Sequence, residues 1–221
     1  MNPLRTVARS LLRRAGLYHW LRDWRRDRRF RRAGRQEIRR WQAAGRPPPA
    51  PDLYKYEYIR ACARRHGAAV FVETGTWKGD ACFMLRRDFR ELHTIELAPA
   101  LHAAAREELA HLPHVHAYLG DSAVELPRVV DGLAGPVLFW LDGHYCAGPS
   151  ARGDEDTPIS AELACLLRRP PGRDVIMIDD LRCFDGRLGY PTIDALRQLV
   201  HTHRPAAHCV VADDIMCIHP V

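Results

Sequence analysis

The chain has 221 residues, enough for one α/β domain with a short extra segment and too few for two ordinary domains. Its formal charge of +6 is unevenly spread: residues 1–46 hold 15 arginines, no lysine and 3 acidic groups, whereas residues 47–221 hold 18 basic and 24 acidic groups, so the positive charge belongs to an appendage. Seven cysteines without a C-x-x-C pair argue against a disulfide framework or zinc site, and neither a secretory signal nor an eighteen-residue apolar span is read, which predicts a cytoplasmic protein.

Apolar residues recur at helical spacing from Leu4 to Trp24, interleaved with arginines, which predicts an amphipathic basic helix. The pattern continues with fewer apolar positions to Arg40 and stops at the linker GRPPPAP, where proline forbids helix. The boundary is placed there: residues 1–50 form an arginine-rich helical extension and linker, and residues 51–221 form the main domain. Two uses of the extension stay open. Its apolar stripe can pack on the domain or on a second subunit in a homo-oligomer, or its charge can dock the protein peripherally to a membrane or another anionic partner. Nucleic acid is the weaker candidate, because the body is acidic and no recognition motif follows.

Beyond the linker, helical and β-rich segments alternate, as in a parallel sheet with crossover helices. A helix from Tyr54 to Arg65 leads to a strand from Ala69 to Glu73 and the glycine turn TGTWKG. A helix from Asp80 to Phe89 precedes a strand from Leu92 to Leu97; Pro99 suits the first turn of the next helix, and Val115 to Leu119 is a third strand. The runs VLFWL (137–141) and VIMI (175–178) are apolar throughout, as in central strands covered on both faces, and Thr157-Pro158 marks a helix start between them. A helix from Pro191 to Thr202 and strands from His208 to Val211 and Ile215 to His219 close the chain, the last two joined by a link that permits a hairpin and no crossover. The expected fold is Rossmann-like α/β: a doubly wound, mostly parallel seven-stranded sheet with a C-terminal antiparallel hairpin.

The chemistry is concentrated where strands end. Gly75 and Gly79 let the backbone turn tightly after the first strand, and the acid Glu73 before them suits a ligand bearing an ammonium or sulfonium better than a phosphate. Glu96 ends the second strand at the distance where open sheets of this class bind ribose hydroxyls, and Asp121-Ser122 ends the third. An acid followed by spaced glycines resembles the first motif of class I S-adenosylmethionine (SAM) dependent methyltransferases: Glu73, Gly75 and Gly79 match, while Trp77 stands where the family has its middle glycine. The resemblance covers residues 54–221 and implies SAM as cofactor, with Glu73, Gly75, Thr76 and Gly79 along its methionine part, Glu96 on the ribose, and Asp121 with Ser122 beside the adenine.

Asp142 follows the fourth strand and Asp179-Asp180 the fifth, so three carboxylates are expected at one mouth of the sheet, where their repulsion calls for a proton or a cation. Hard oxygen ligands suit Mg²⁺ or Mn²⁺. This pattern resembles the metal-dependent sugar O-methyltransferases of macrolide (macrocin) and aminocoumarin biosynthesis. The resemblance implies natural-product or polysaccharide chemistry on a hydroxylated, sugar-containing small molecule, with Asp142, Asp179 and Asp180 as metal ligands. Asp142 and His144 would then be catalytic, His144 as base. Relatives often space the acid and the histidine one residue further apart. The plainer alternative is that Asp179 and Asp180 turn the chain and His144 is a loop residue. His111, His114 and His116 are separated by Pro113 and are not read as a metal site, and residues 147–156 form either a substrate lid or an ordinary surface loop.

Overall fold

The computed structural model describes residues 17–142, 157–170, 172, 174–187 and 189–220. Among these, α1 (Leu17–Ala43) and α2 (Asp52–His66) flank the proline linker and lead into β1 (Val70–Thr74). There follow α3 (Asp80–Leu85), β2 (Glu91–Glu96), α4 (Pro99–Leu109), β3 (Val115–Leu119), α5 (Ser122–Asp131) and β4 (Val137–Leu141). The chain closes with α6 (Ile159–Leu167), β5 (Val175–Ile178), a 3-10 turn (Leu181–Cys183), α7 (Ile193–His203), β6 (His208–Ala212) and β7 (Ile215–His219).

The seven strands lie in the order β3-β2-β1-β4-β5-β7-β6, parallel except for β7, which runs antiparallel to both β5 and β6. This is the expected doubly wound sheet with its terminal hairpin. Every residue of β1, β4 and β5 is buried, because helices cover both faces. Val70, Val72, Phe139 and Ile176 point to the side of α5, α6 and α7, where they meet Leu126, Leu163 and Leu196. Phe71, Leu92, Leu138 and Met177 point to the other side, against Ile59, Phe83 and Leu109. The hairpin turns on Asp213 and Asp214, both with positive φ (53° and 69°), the geometry that matches the right-handed twist of paired strands.

One helix end differs from expectation. The helix after the glycine turn ends at Leu85, not Phe89, because guanidinium groups reach its free C-terminal carbonyls: Arg60 donates to Met84 O and Arg86 to Phe83 O, each at 2.5 Å. The basic helix lies against the body, one of the two uses its apolar stripe left open. Its inner side carries Asp23, Arg26, Phe30, Gly34 and Trp41: Phe30 stacks on Tyr56 at 5.8 Å, and a Cβ at Gly34 would stand 2.6 Å from Leu53 Cβ. Arg26 donates to Asp80 (2.5 Å) and Glu108 (2.6 Å) while its guanidinium lies 4.0 Å from the centre of the Phe83 ring. The expected stretch of the same helix before residue 17 lies outside the described residues.

Candidate active site

Parallel pairing in register brings the ends of β1, β2, β4 and β5 to one edge of the sheet: Thr74 pairs with Ile95 and Leu141, and Leu141 with Ile178. The chain leaves β1 through Gly75 (φ 88°) and enters α3 through Gly79 (φ 72°), both left-handed, where L side chains are strained. At Gly79 a Cβ would also press on Leu109 Cδ1 at 2.9 Å. Trp77, at the position of the family's middle glycine, takes the left-handed conformation as well (φ 49°) and leaves its ring 42% exposed at the rim. The loop path expected of a glycine is thus followed by a tryptophan at a conformational cost on the order of 1 kcal/mol.

Glu96 grips this turn from β2. One carboxylate oxygen accepts the Trp77 N–H and the other the Ala98 N–H, both at 2.9 Å. Glu73 is buried beneath it, accepting from Thr94 Oγ1 at 2.7 Å and Cys82 Sγ at 3.2 Å; burial pushes its carboxyl up to about 7 despite these donors. Thr76 Oγ1 meets Thr94 Oγ1 at 2.5 Å. Asp121 caps α5 by accepting Ala123 N–H at 2.8 Å, and Ser122 beside it is buried.

The second cluster adjoins the first. Asp142 N–H donates to Thr74 O and Asp179 N–H to Leu141 O, each at 3.1 Å, which fixes both residues just past the strand ends. Asp180 adopts a left-handed conformation (φ 57°) and pairs with Arg182 at 2.7 Å. Burial first, then Asp179 and Asp180, hold the Asp142 carboxyl well above the usual carboxylate range; burial pushes Asp179 up to about 6 against the pull of Lys55. Glu73 and Thr74 end β1 beside Leu141, and Asp142 bonds back to Thr74, so the two clusters share one rim. His144 lies outside the described residues.

Lys55, on α2, is the residue sequence reasoning missed. Its ammonium is buried 2.5 Å from Asp179 Oδ2 and 3.7 Å from Asp180 Oδ1. Burial opposes its charge, but Asp179, Asp142 and Asp180 outweigh that and hold it firmly protonated. A signal was present: only Lys55 and Lys78 among the 33 basic residues are lysines.

The three carboxylates have the chemistry of a hard-cation site, and Asp179 Oδ1 is buried without a hydrogen-bond partner among the described residues. Lys55 offsets part of their charge, and the described residues contain no group of three or more His, Cys, Asp or Glu side chains placed to hold an ion. As arranged, the Lys55 ammonium occupies the place beside Asp179 and Asp180 that an ion would have to take.

No family model matches the sequence, and no curated protein matches it. Solved structures do. An O-methyltransferase from Bacillus cereus in complex with SAH is 17% identical, with a TM-score of 0.54 over 83% of this chain and 89% of the other. The O-methyltransferase TomG from Streptomyces achromogenes, involved in tomaymycin synthesis and in complex with SAM, is 15% identical, with a TM-score of 0.51 over 86% of this chain and 90% of its own. The chain has a methyltransferase fold. The N-methyltransferase NodS from Bradyrhizobium japonicum WM9 shares it too, at 13% identity and a TM-score of 0.52 over 77% of this chain and 97% of the other, so the methyltransferase fold by itself does not select the acceptor atom.

Proposed function

We propose that this protein is a SAM-dependent O-methyltransferase acting on a hydroxyl of a sugar or glycosylated small molecule. The observation that carries the reading is the adjacency, on one rim, of a glycine turn gripped by Glu96 and an acidic cluster at Asp142, Asp179 and Asp180. In this reading Glu73, Gly75, Thr76 and Gly79 line the methionine part of the cofactor. Glu96, which already fixes the turn, also faces the ribose, and Asp121 with Ser122 borders the adenine. The carboxylate-rich rim favours the cationic sulfonium, whose charge disappears when the methyl leaves.

The acceptor oxygen attacks the methyl carbon, the carbon–sulfur bond breaks with its electron pair going to sulfur, and the hydroxyl proton passes to a base. His144, two residues beyond Asp142, is the proposed base, and Asp142 orients the acceptor. Asp142, Asp179 and Asp180 would hold Mg²⁺ or Mn²⁺ on displacing Lys55, and the ion would lower the hydroxyl's pKa. Without an ion, Lys55 supplies the positive charge to the same carboxylates.

The test is transfer of labelled methyl from SAM to a panel of hydroxylated glycosides and their deoxy analogues. Transfer that disappears in Asp179→Asn and with chelator supports the metal version. Transfer lost in Asp179→Asn but indifferent to chelator leaves the cation role to Lys55. Transfer to nitrogen acceptors alone contradicts the O-methylation reading.

A further inference from the structure

Ten arginines lie in α1, and the helix sorts them by face. With Arg26 and its neighbours turned to the body, Arg25, Arg28, Arg32, Arg35 and Arg39 follow each other at three- and four-residue spacing on the opposite side. All five are exposed, and none makes an ion pair among the described residues. At helical rise the stripe is about 20 Å long. Trp20 and Trp24 flank its N-terminal end, 57% and 41% exposed, with the Arg28 guanidinium 5.3 Å from the Trp24 ring centre. Trp24, Arg28, Arg32, Arg35 and Arg39 are among the residues lining an open groove along the helix.

We propose that this face docks the protein onto an anionic phospholipid bilayer. The inner side of α1 is clamped to the body by the Arg26, Phe30 and Gly34 contacts, so the stripe is presented as a straight cationic edge, suited to a planar array of headgroup phosphates. Exposed tryptophans beside arginines are what a headgroup interface accommodates, an apolar ring with a polar N–H. Nucleic acid fits less well, since residues 47–221 carry more acidic than basic groups and offer a phosphate backbone no basic track beyond the helix. None of the described helices is long and apolar enough to cross a membrane, so the contact is one of lying on the surface. The stripe contains no residue of the rim, so docking stands or falls independently of methyl transfer.

The full chain is sedimented with vesicles of phosphatidylcholine alone or with a third phosphatidylserine, at low and at physiological salt. Binding to the anionic vesicles alone, weakened by salt, is expected. The triple variant Arg32→Gln, Arg35→Gln, Arg39→Gln binds on the order of a hundredfold more weakly. The matching triple Arg→Lys variant keeps its binding, which separates lost charge from lost folding. Equal binding to neutral vesicles, unchanged binding of the glutamine variant, loss of binding in the lysine variant, or preference for single-stranded RNA over anionic vesicles at the same salt would each overturn the proposal.

Discussion

At the scale of single residues, three buried groups hold charges that water would ordinarily hold, and each makes stability depend on pH. Burial pushes the carboxyls of both Glu73 and Glu162 up to about 7. Glu162 is the starker case, because neither carboxylate oxygen has a hydrogen-bond partner among the described residues, although the Thr74 and Ser122 hydroxyls lie close enough to temper the shift. For an acid whose folded pKa lies above its unfolded value, the folded state binds the proton more tightly, so stability falls as pH rises from about 4.5 through about 7. Glu162→Gln removes that penalty. It should stabilise the protein at pH 8 by roughly 3 kcal/mol at most and change little at pH 4, as read from urea unfolding at both pH values. Lys55→Met should do the reverse, costing about 3–5 kcal/mol at pH 8 because Asp179 and Asp180 lose their counter-charge, and less at pH 5, below the value of about 6 to which burial pushes Asp179. An equal cost at both pH values would show that Lys55 serves packing and not charge. The carboxylates of this rim were legible as strand-end acids. Lys55 was not, because it arrives from a helix 124 residues before Asp179 and only the folded chain brings the two together.

At the scale of elements, the glycine turn and the helix that touches it act together. Gly79→Ala forces a side chain into a left-handed backbone and against Leu109, so a loss of about 1–2 kcal/mol and weaker SAM binding are expected from thermal unfolding with and without cofactor. Arg26→Ala breaks the link from α1 to Asp80, the first residue of α3. It should weaken SAM binding without touching any residue of the rim, and unaltered affinity would show that the turn holds itself. Strand positions were readable to within a residue at most ends, because apolar runs and alternation report burial directly. The early end of α3 was not, since its carbonyls are capped by Arg60 and Arg86, a tertiary device with no local pattern. The attachment of α1 was only half legible: the apolar stripe showed, but not the Gly34 contact with Leu53 or the Arg26 clamp that turns it inward.

For the whole molecule, the fold and the rim follow from strand order. Crossovers on both faces place the ends of β1, β2, β3, β4 and β5 side by side, so residues as far apart in sequence as Glu73 and Asp179 come to one edge. Because α1 covers Tyr56 and Phe83, we expect the extension and the domain to unfold together. A chain beginning at Pro51 should melt at lower temperature or aggregate, whereas an unchanged melting temperature would make residues 1–50 energetically separate. The claim on which the functional reading depends is that the glycine turn and Glu96 form a site for SAM. Calorimetric titration of the full chain with SAM measures this directly: saturable binding at one site per chain, weakened in Gly79→Ala, is predicted, and the absence of any saturable heat from folded protein would contradict it.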